Sequence, residues 1–159
     1  MKVRVVYDSV FGNTEQVARA MGETLGPQGD VETVRIGDVE PEELTGLDVL
    51  IVGSPTRAFR PTGATTKLIQ AIPRDGLAGV KVAAFDTRIS PADVDSRVLR
   101  VMVKLFGYAA DPIAKRLEKK GGELAVAPEG FFVKDTEGPL KEGEVGRAAE
   151  WARRIIPAL

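Results

Sequence analysis

Apolar and polar positions along this chain follow two alternating periods. Val3-Arg4-Val5-Val6-Tyr7 is β-branched and aromatic and ends in a polar, Gly-containing turn, so it reads as a strand. From Thr14 the period lengthens: Val17, Ala20, Met21 and then Thr24 or Leu25 recur at helical spacing, and Gly26 is placed to stop the helix. Val31 to Arg35 alternates like a partly exposed strand near an edge. Asp48 to Gly53 is almost continuously apolar, as a strand covered on both faces would be. Thr65 to Ile72 is helical in pattern, Val80 to Phe85 is another buried strand, and Ala109 to Lys120 is a helix running into Gly121-Gly122. Leu124 to Ala127 predicts a fifth strand, with a resumption at Phe131-Phe132-Val133 after Pro128-Glu129-Gly130. The last helix carries Val145, Ala148, Ala149, Ala152 and Ile155 on one stripe, and Pro157 ends it. Strands alternating with helices in this way predict parallel βαβ units and an α/β fold. One stretch is surplus to the alternation. Ser90-Pro91-Ala92-Asp93 has a capping residue, a proline at the first helical position and an acid three after the cap. Val94, Val98, Val101, Met102 and Leu105 follow at helical spacing, which predicts an extra helix before Gly107. No internal repeat and no second core pattern is visible, so residues 1–159 are expected to form one domain.

Composition narrows the chemistry. The 159 residues contain no cysteine and no histidine, which excludes structural disulfides, thiol and imidazole catalysis, and His-ligated zinc or haem. A net charge of −1 gives no global case for nucleic-acid binding. No apolar run approaches the roughly 18 to 20 residues that cross a bilayer. The start, Met1 to Val6, does not read as a signal peptide, because an arginine interrupts its apolar stretch. The expectation is a cytoplasmic protein that takes its chemistry from a cofactor.

Ligands of open parallel sheets bind beyond the carboxyl ends of the strands, where strand order reverses. Three loops lie there. Asp8-Ser9-Val10-Phe11-Gly12-Asn13-Thr14 leads straight into a helix. Its hydroxyls, side-chain amide and successive backbone N–H groups suit an anion at a helix N-terminus. It lacks the lysine of a nucleotide-triphosphatase loop and the three-glycine spacing of a dinucleotide fingerprint, so a small phosphate monoester fits better than ATP or NAD. The plainer reading is a turn with Asn13 as N-cap and Gln16 reaching back. The second loop, Gly53-Ser54-Pro55-Thr56-Arg57-Ala58-Phe59-Arg60-Pro61-Thr62, is stiffened by two prolines and sets Phe59 between two arginines; Phe59 is either a ligand wall or a core lid. The third is Asp86-Thr87-Arg88-Ile89, where Asp86 and Arg88 also fit a surface ion pair. Trp151 is expected to pack on the sheet, while Tyr108 follows the extra helix, a position from which it could reach a ligand from the side. Residues 97–120 hold seven basic groups against Asp111 and Glu118, which reads as a solvated face or a docking patch.

Together these loops resemble the flavodoxin family. Ser9-Val10-Phe11-Gly12-Asn13-Thr14 is similar to that family's phosphate loop, Ser/Thr-x-Thr-Gly-Asn-Thr, and Gly53-Ser54-Pro55-Thr56 looks like the turn opening its first ring-flanking loop. Asp86-Thr87-Arg88 stands in the place of the second. The resemblance covers nearly the whole chain. It implies a doubly wound, five-stranded parallel sheet in the order 2-1-3-4-5, with helices on both faces. It also implies noncovalent FMN, held by Ser9, Val10, Phe11, Gly12, Asn13 and Thr14 at the phosphate. The ring would lie between Ser54, Pro55, Thr56, Arg57, Ala58 and Phe59 on one side and Asp86, Thr87 and Arg88 on the other. Departures are equally concrete. Phe11 replaces a threonine, residues 53–62 hold no tryptophan, Asp86 to Arg88 include no tyrosine, and the chain is nearly neutral where the family's carriers are strongly acidic. Arg57, Arg60 and Arg88 against Asp86 give the ring loops a positive balance, which favours added electrons. The expected role is an electron carrier rather than an independent enzyme, serving a redox partner protein or a small electron acceptor, without nucleic acid or membrane, as a monomer or small homo-oligomer. The alternatives are an NAD(P)H-dependent FMN oxidoreductase of the quinone-reductase type and a relative that has lost flavin. A signalling receiver of the same topology is set aside, because Val52-Gly53-Ser54 stands where its phosphorylated aspartate belongs.

Overall fold

The computed structural model describes residues 1–94 and 96–159. Its sheet is built from β1 (Lys2–Tyr7), β2 (Asp30–Arg35), β3 (Val49–Pro55), β4 (Lys81–Ile89), β5 (Glu123–Leu124) and β6 (Glu129–Val133). The order is β2-β1-β3-β4-β5, with β6 also pairing β4, and every pairing is parallel. The alternating β2 forms one edge, whereas Val49 to Ser54 of the continuously apolar β3 are all buried. Both patterns follow from the number of faces each strand must cover.

Helices α1 (Asn13–Leu25) and α5 (Glu144–Arg153) cover one face, and α2 (Gly63–Ala71) and α4 (Ala110–Lys119) the other. On the first face Phe85, Phe131 and Trp151 meet edge to face with centroids 6.1 to 6.3 Å apart, a favoured aromatic geometry. The Trp151 indole N–H donates to the Ala127 carbonyl at 3.2 Å, so this ring is a core element, as the sequence predicts.

Two elements differ from expectation. The surplus segment is not one helix from Ser90. Ser90 caps only a single 3₁₀ turn, Pro91–Asp93, and Val94 is extended. A second cap, Ser96 accepting from the Leu99 N–H at 3.3 Å, opens α3 (Arg97–Phe106). The fifth strand is also shorter than Leu124 to Ala127. β5 ends at Leu124, and Pro128, which has no N–H, interrupts pairing before β6 resumes it along Phe85 to Ile89. That restart brings Val133 level with Ile89 at the carboxyl end of β4 and delivers residues 133–136 to that end of the sheet.

Candidate functional site

The carboxyl ends of β1, β3 and β4 surround a cavity of about 300 Å³, at the reversal of strand order between β1 and β3. Ser9, Val10, Phe11, Asn13 and Thr14 line it from the first loop, Pro55, Thr56, Arg57 and Ala58 from the second, and Thr87, Arg88 and Ile89 from the third. Ser54, Phe59 and Asp86 stand outside the lining, and Gly12 contributes through its backbone geometry.

Gly12, not Asn13, is the N-cap of α1. Its φ of 91° lies in the left-handed region that favours glycine, and it offers no side chain to cap the helix. The Asn13 amide instead donates to the Glu137 carbonyl at 3.1 Å. The Ser9 hydroxyl accepts from the Gly12 N–H at 3.1 Å, which folds the loop back on itself. Among the described residues, the backbone N–H groups of Val10, Phe11, Asn13 and Thr14 have no partner. Four free donors thus stand at a helix N-terminus beside a cavity, an arrangement whose chemistry suits an anion.

The second loop is held by its neighbours. Thr62 donates its hydroxyl to Asp8 at 2.6 Å and receives the Thr65 N–H, so one side chain ties the first two loops together while capping α2. Ser54 is fully buried and accepts the Thr62 N–H at 3.0 Å, which makes it a brace of the loop. Arg57 and Arg60 exchange both backbone hydrogen bonds, at 2.8 and 3.0 Å, around a two-residue turn. Ala58 and Phe59 at its tip have φ of 47° and 69°, left-handed values that cost about 1 kcal/mol or more each for residues with a Cβ. This turn rotates Phe59 away from the cavity and onto Phe106, with ring centroids 5.8 Å apart. The Arg57 guanidinium lies 5.8 Å from the Phe11 ring centre across the mouth, a cation–π contact.

In the third loop Asp86 and Arg88 are not a surface pair. The Asp86 carboxylate is fully buried and grips the Arg88 guanidinium with two bonds of 2.7 Å, while accepting the Ala110 N–H at 2.9 Å. Burial pushes the Asp86 carboxyl up from its ordinary range, and the Arg88 pairing opposes that shift. The guanidinium lies 3.8 Å from the Tyr108 ring centre. Gly130 is packed against the same side chain, and a Cβ there would come within 2.0 Å of the Arg88 Nε. Tyr108 is committed to that stack and donates its hydroxyl to the Ile89 carbonyl at 3.3 Å. Thr87 and Thr14 share a buried hydroxyl hydrogen bond of 2.8 Å, tying the third loop to the first.

Sequence reasoning missed the fourth wall. Val133 and Thr136 close the cavity, and Asn13 anchors their loop through Glu137. The resumed apolar run at Phe131 to Val133 was the available signal. Among the described residues no cluster of acidic side chains is arranged to hold a metal ion, and no helix is long and apolar enough to cross a membrane.

A doubly wound parallel sheet with its cavity at the β1–β3 reversal, and unpartnered backbone N–H groups at the first helix beside it, defines a flavodoxin-like domain. The chain belongs to the flavodoxin domain family, whose model matches residues 4–132. Oxidised flavodoxin 2 of Bacillus cereus is similar over the whole of both chains, with 23% identity and a TM-score of 0.80. Oxidised flavodoxin 1 of the same organism, 18% identical, aligns over 100% of this chain and 99% of its own with a TM-score of 0.79. The fold also matches 35% of the rubredoxin oxygen:oxidoreductase of Desulfovibrio gigas, at 21% identity and a TM-score of 0.73.

Proposed function

We propose that this chain is an FMN-binding electron carrier. The observation that carries the reading is the convergence of the three loops on one cavity, with four unpartnered backbone N–H groups at one end of it. The donor set fits a phosphate monoester, because it offers charge-dipole attraction without the lysine a triphosphate calls for. In this reading the N–H groups of residues 10, 11, 13 and 14 hold the phosphate, and Gly12 keeps the chain turned so that they point together. Pro55 to Ala58 and Thr87 to Ile89 flank the ring, and Val133 and Thr136 cover its remaining edge. FMN supplies the ability to take up and release one or two electrons, and the protein sets their energy and their partner.

The residues divide that work. Asp86 neutralises Arg88, so Arg88 acts as a fixed wall stacked on Tyr108 rather than as a free positive charge. Arg57 is then the unneutralised cation at the mouth. Phe59, turned away from the cavity, shapes the outer surface. The Thr62–Asp8 and Thr14–Thr87 bonds hold three loops in one arrangement, which limits reorganisation when charge arrives.

The test is direct. Purified protein should be yellow, release FMN on denaturation, and rebind FMN far more tightly than riboflavin. A colourless protein that ignores added FMN would overturn the reading in favour of a relative that has lost flavin.

A further inference from the structure

Beyond the cofactor cavity, on the other side of the Ala58–Phe59 turn, lies a larger hollow of about 750 Å³. Its walls are apolar at Phe59, Phe106 and Pro112 and cationic at Arg60, Lys67 and Arg116, with no carboxylate among the lining residues. Among the described residues none of these three cations forms an ion pair. The Arg116 Nε is buried without any hydrogen-bond partner. A partly desolvated guanidinium with no counter-charge is unfavourable, and an incoming carboxylate relieves it.

Helix α3 borders this hollow through Phe106. Its apolar stripe does not pack into a core. Val98, Val101 and Leu105 share one face at spacings of three and four, and they are 68, 52 and 73% exposed. Arg97, Arg100 and Lys104 occupy the adjoining face, and the helix contains no acid. An exposed apolar stripe on an ordered helix marks a surface that a partner covers.

We propose that the α3 stripe and the cationic hollow together form the docking surface for an acidic electron-transfer protein. Three features favour this occupant. Among the described residues, the charged side chains of α3 and of the hollow's lining are all cationic, which steers an acidic partner and repels a basic one. The cations line a concavity, which protruding carboxylate side chains enter and a flat bilayer does not. A second copy paired about a two-fold axis would set like charges against each other. The position also suits the task, because Ala58 lines both the hollow and the cofactor cavity, so a docked protein is one turn away from it. Only the electron-transfer character of the partner rests on the carrier reading; the surface itself does not.

The experiment measures fluorescence anisotropy of a labelled two-iron ferredoxin, a small acidic protein, against the chain with and without FMN. Labelled cytochrome c serves as the basic counterpart. Ferredoxin should bind, weaken about tenfold or more from low to high ionic strength, and outcompete cytochrome c at low salt. The double variant Lys67→Glu, Lys104→Glu should lose about tenfold in ferredoxin affinity and most of the salt dependence. Val98→Ser with Leu105→Ser should weaken binding while leaving the salt dependence in place. All four positions are surface sites outside the cofactor cavity, so folding and FMN affinity should be unchanged. Preference for cytochrome c, or ferredoxin binding indifferent to the charge reversals, overturns the proposal. So does Leu105-dependent sedimentation with phosphatidylserine vesicles in the absence of ferredoxin binding, or a dimer that Leu105→Ser dissolves. FMN binding without ferredoxin binding overturns this proposal alone; ferredoxin docking on a chain that never takes FMN overturns the carrier reading alone.

Discussion

Gly12 decides the direction of four N–H groups. With φ at 91° it turns the chain into α1, and a Cβ there would meet open space, so the penalty of substitution is conformational rather than a clash. A β-branched residue in this region costs about 1–2 kcal/mol and relieves that strain by reorienting the loop. Gly12→Val should therefore lower stability by about that amount in urea denaturation and weaken FMN at least tenfold by calorimetric titration. Riboflavin, which has no phosphate, should lose much less. Equal losses for the two ligands would show that the loop does not hold phosphate. At this scale the sequence was legible where the chemistry is backbone chemistry: a Gly-Asn-Thr at a strand–helix junction announces its own conformation. It was less legible where side chains choose between partners. Asn13 has the right chemistry for a cap, yet its amide reaches the Glu137 carbonyl, 124 positions along the chain. Phe59 turns outward because the Arg57–Arg60 turn adopts left-handed φ without glycine, a choice that local propensity argues against.

At the level of elements, the join between β6 and α5 shows how the fourth wall of the site is kept in place. Glu144, the first residue of α5, accepts the Phe132 N–H at 2.8 Å and the Arg147 guanidinium at 2.7 Å, while Arg147 also reaches Glu129 at 3.3 Å. Burial alone would raise the Glu144 carboxyl, but the Arg147 and Phe132 bonds outweigh it and hold the group below its ordinary value. A carboxyl lowered on folding contributes stability that is fully present above its unfolded-state pKa and fades as pH falls through the folded one. Glu144→Gln should thus cost about 1–2 kcal/mol at neutral pH, and the gap to wild type should close in acid. Urea midpoints measured across that range check this; a gap that is constant or widens toward low pH contradicts it. Alternation of periods made the strands and helices readable because each buries a defined face. The break at Pro128 was readable as a break, but its consequence, a second strand on β4 that delivers Val133 and Thr136, depends on pairing across the sheet and not on local pattern. Likewise the α3 periodicity is real, yet it does not say whether its stripe faces a core or a partner.

Across the whole molecule, a net charge of −1 conceals a segregation of charge. The sequence places Arg57, Arg60 and Arg88 in the ring loops against Asp86, a positive balance of three to one. The structure divides them. Arg88 is neutralised by Asp86 at 2.7 Å, Arg60 lines the outer hollow, and only Arg57 lines the cavity between the three loops without a paired carboxylate among the described residues. The expectation that this site favours added electrons more than an acidic flavodoxin does therefore rests on one residue. A unit charge about 8 Å away, at an effective dielectric of about 20, is worth about 2 kcal/mol before salt screening and about half that after it. Arg57→Gln should lower the midpoint potential of bound FMN by an energy of that order, on the order of 1 kcal/mol per electron. Arg60→Gln, on the far side of the turn and facing water, should lower it less. Arg88→Gln is not the matching control, because it strips a buried carboxylate of its partner and costs stability first. Spectroscopic redox titration of wild type beside the Arg57 and Arg60 variants measures the difference. Raising the salt concentration should shrink both shifts, the Arg60 shift more, since it acts from outside the cavity, on the other side of the turn. Equal shifts at the two positions, or none at Arg57, would mean that the turn does not separate the two surfaces electrostatically, and that the division of charge seen in the fold does not reach the cofactor.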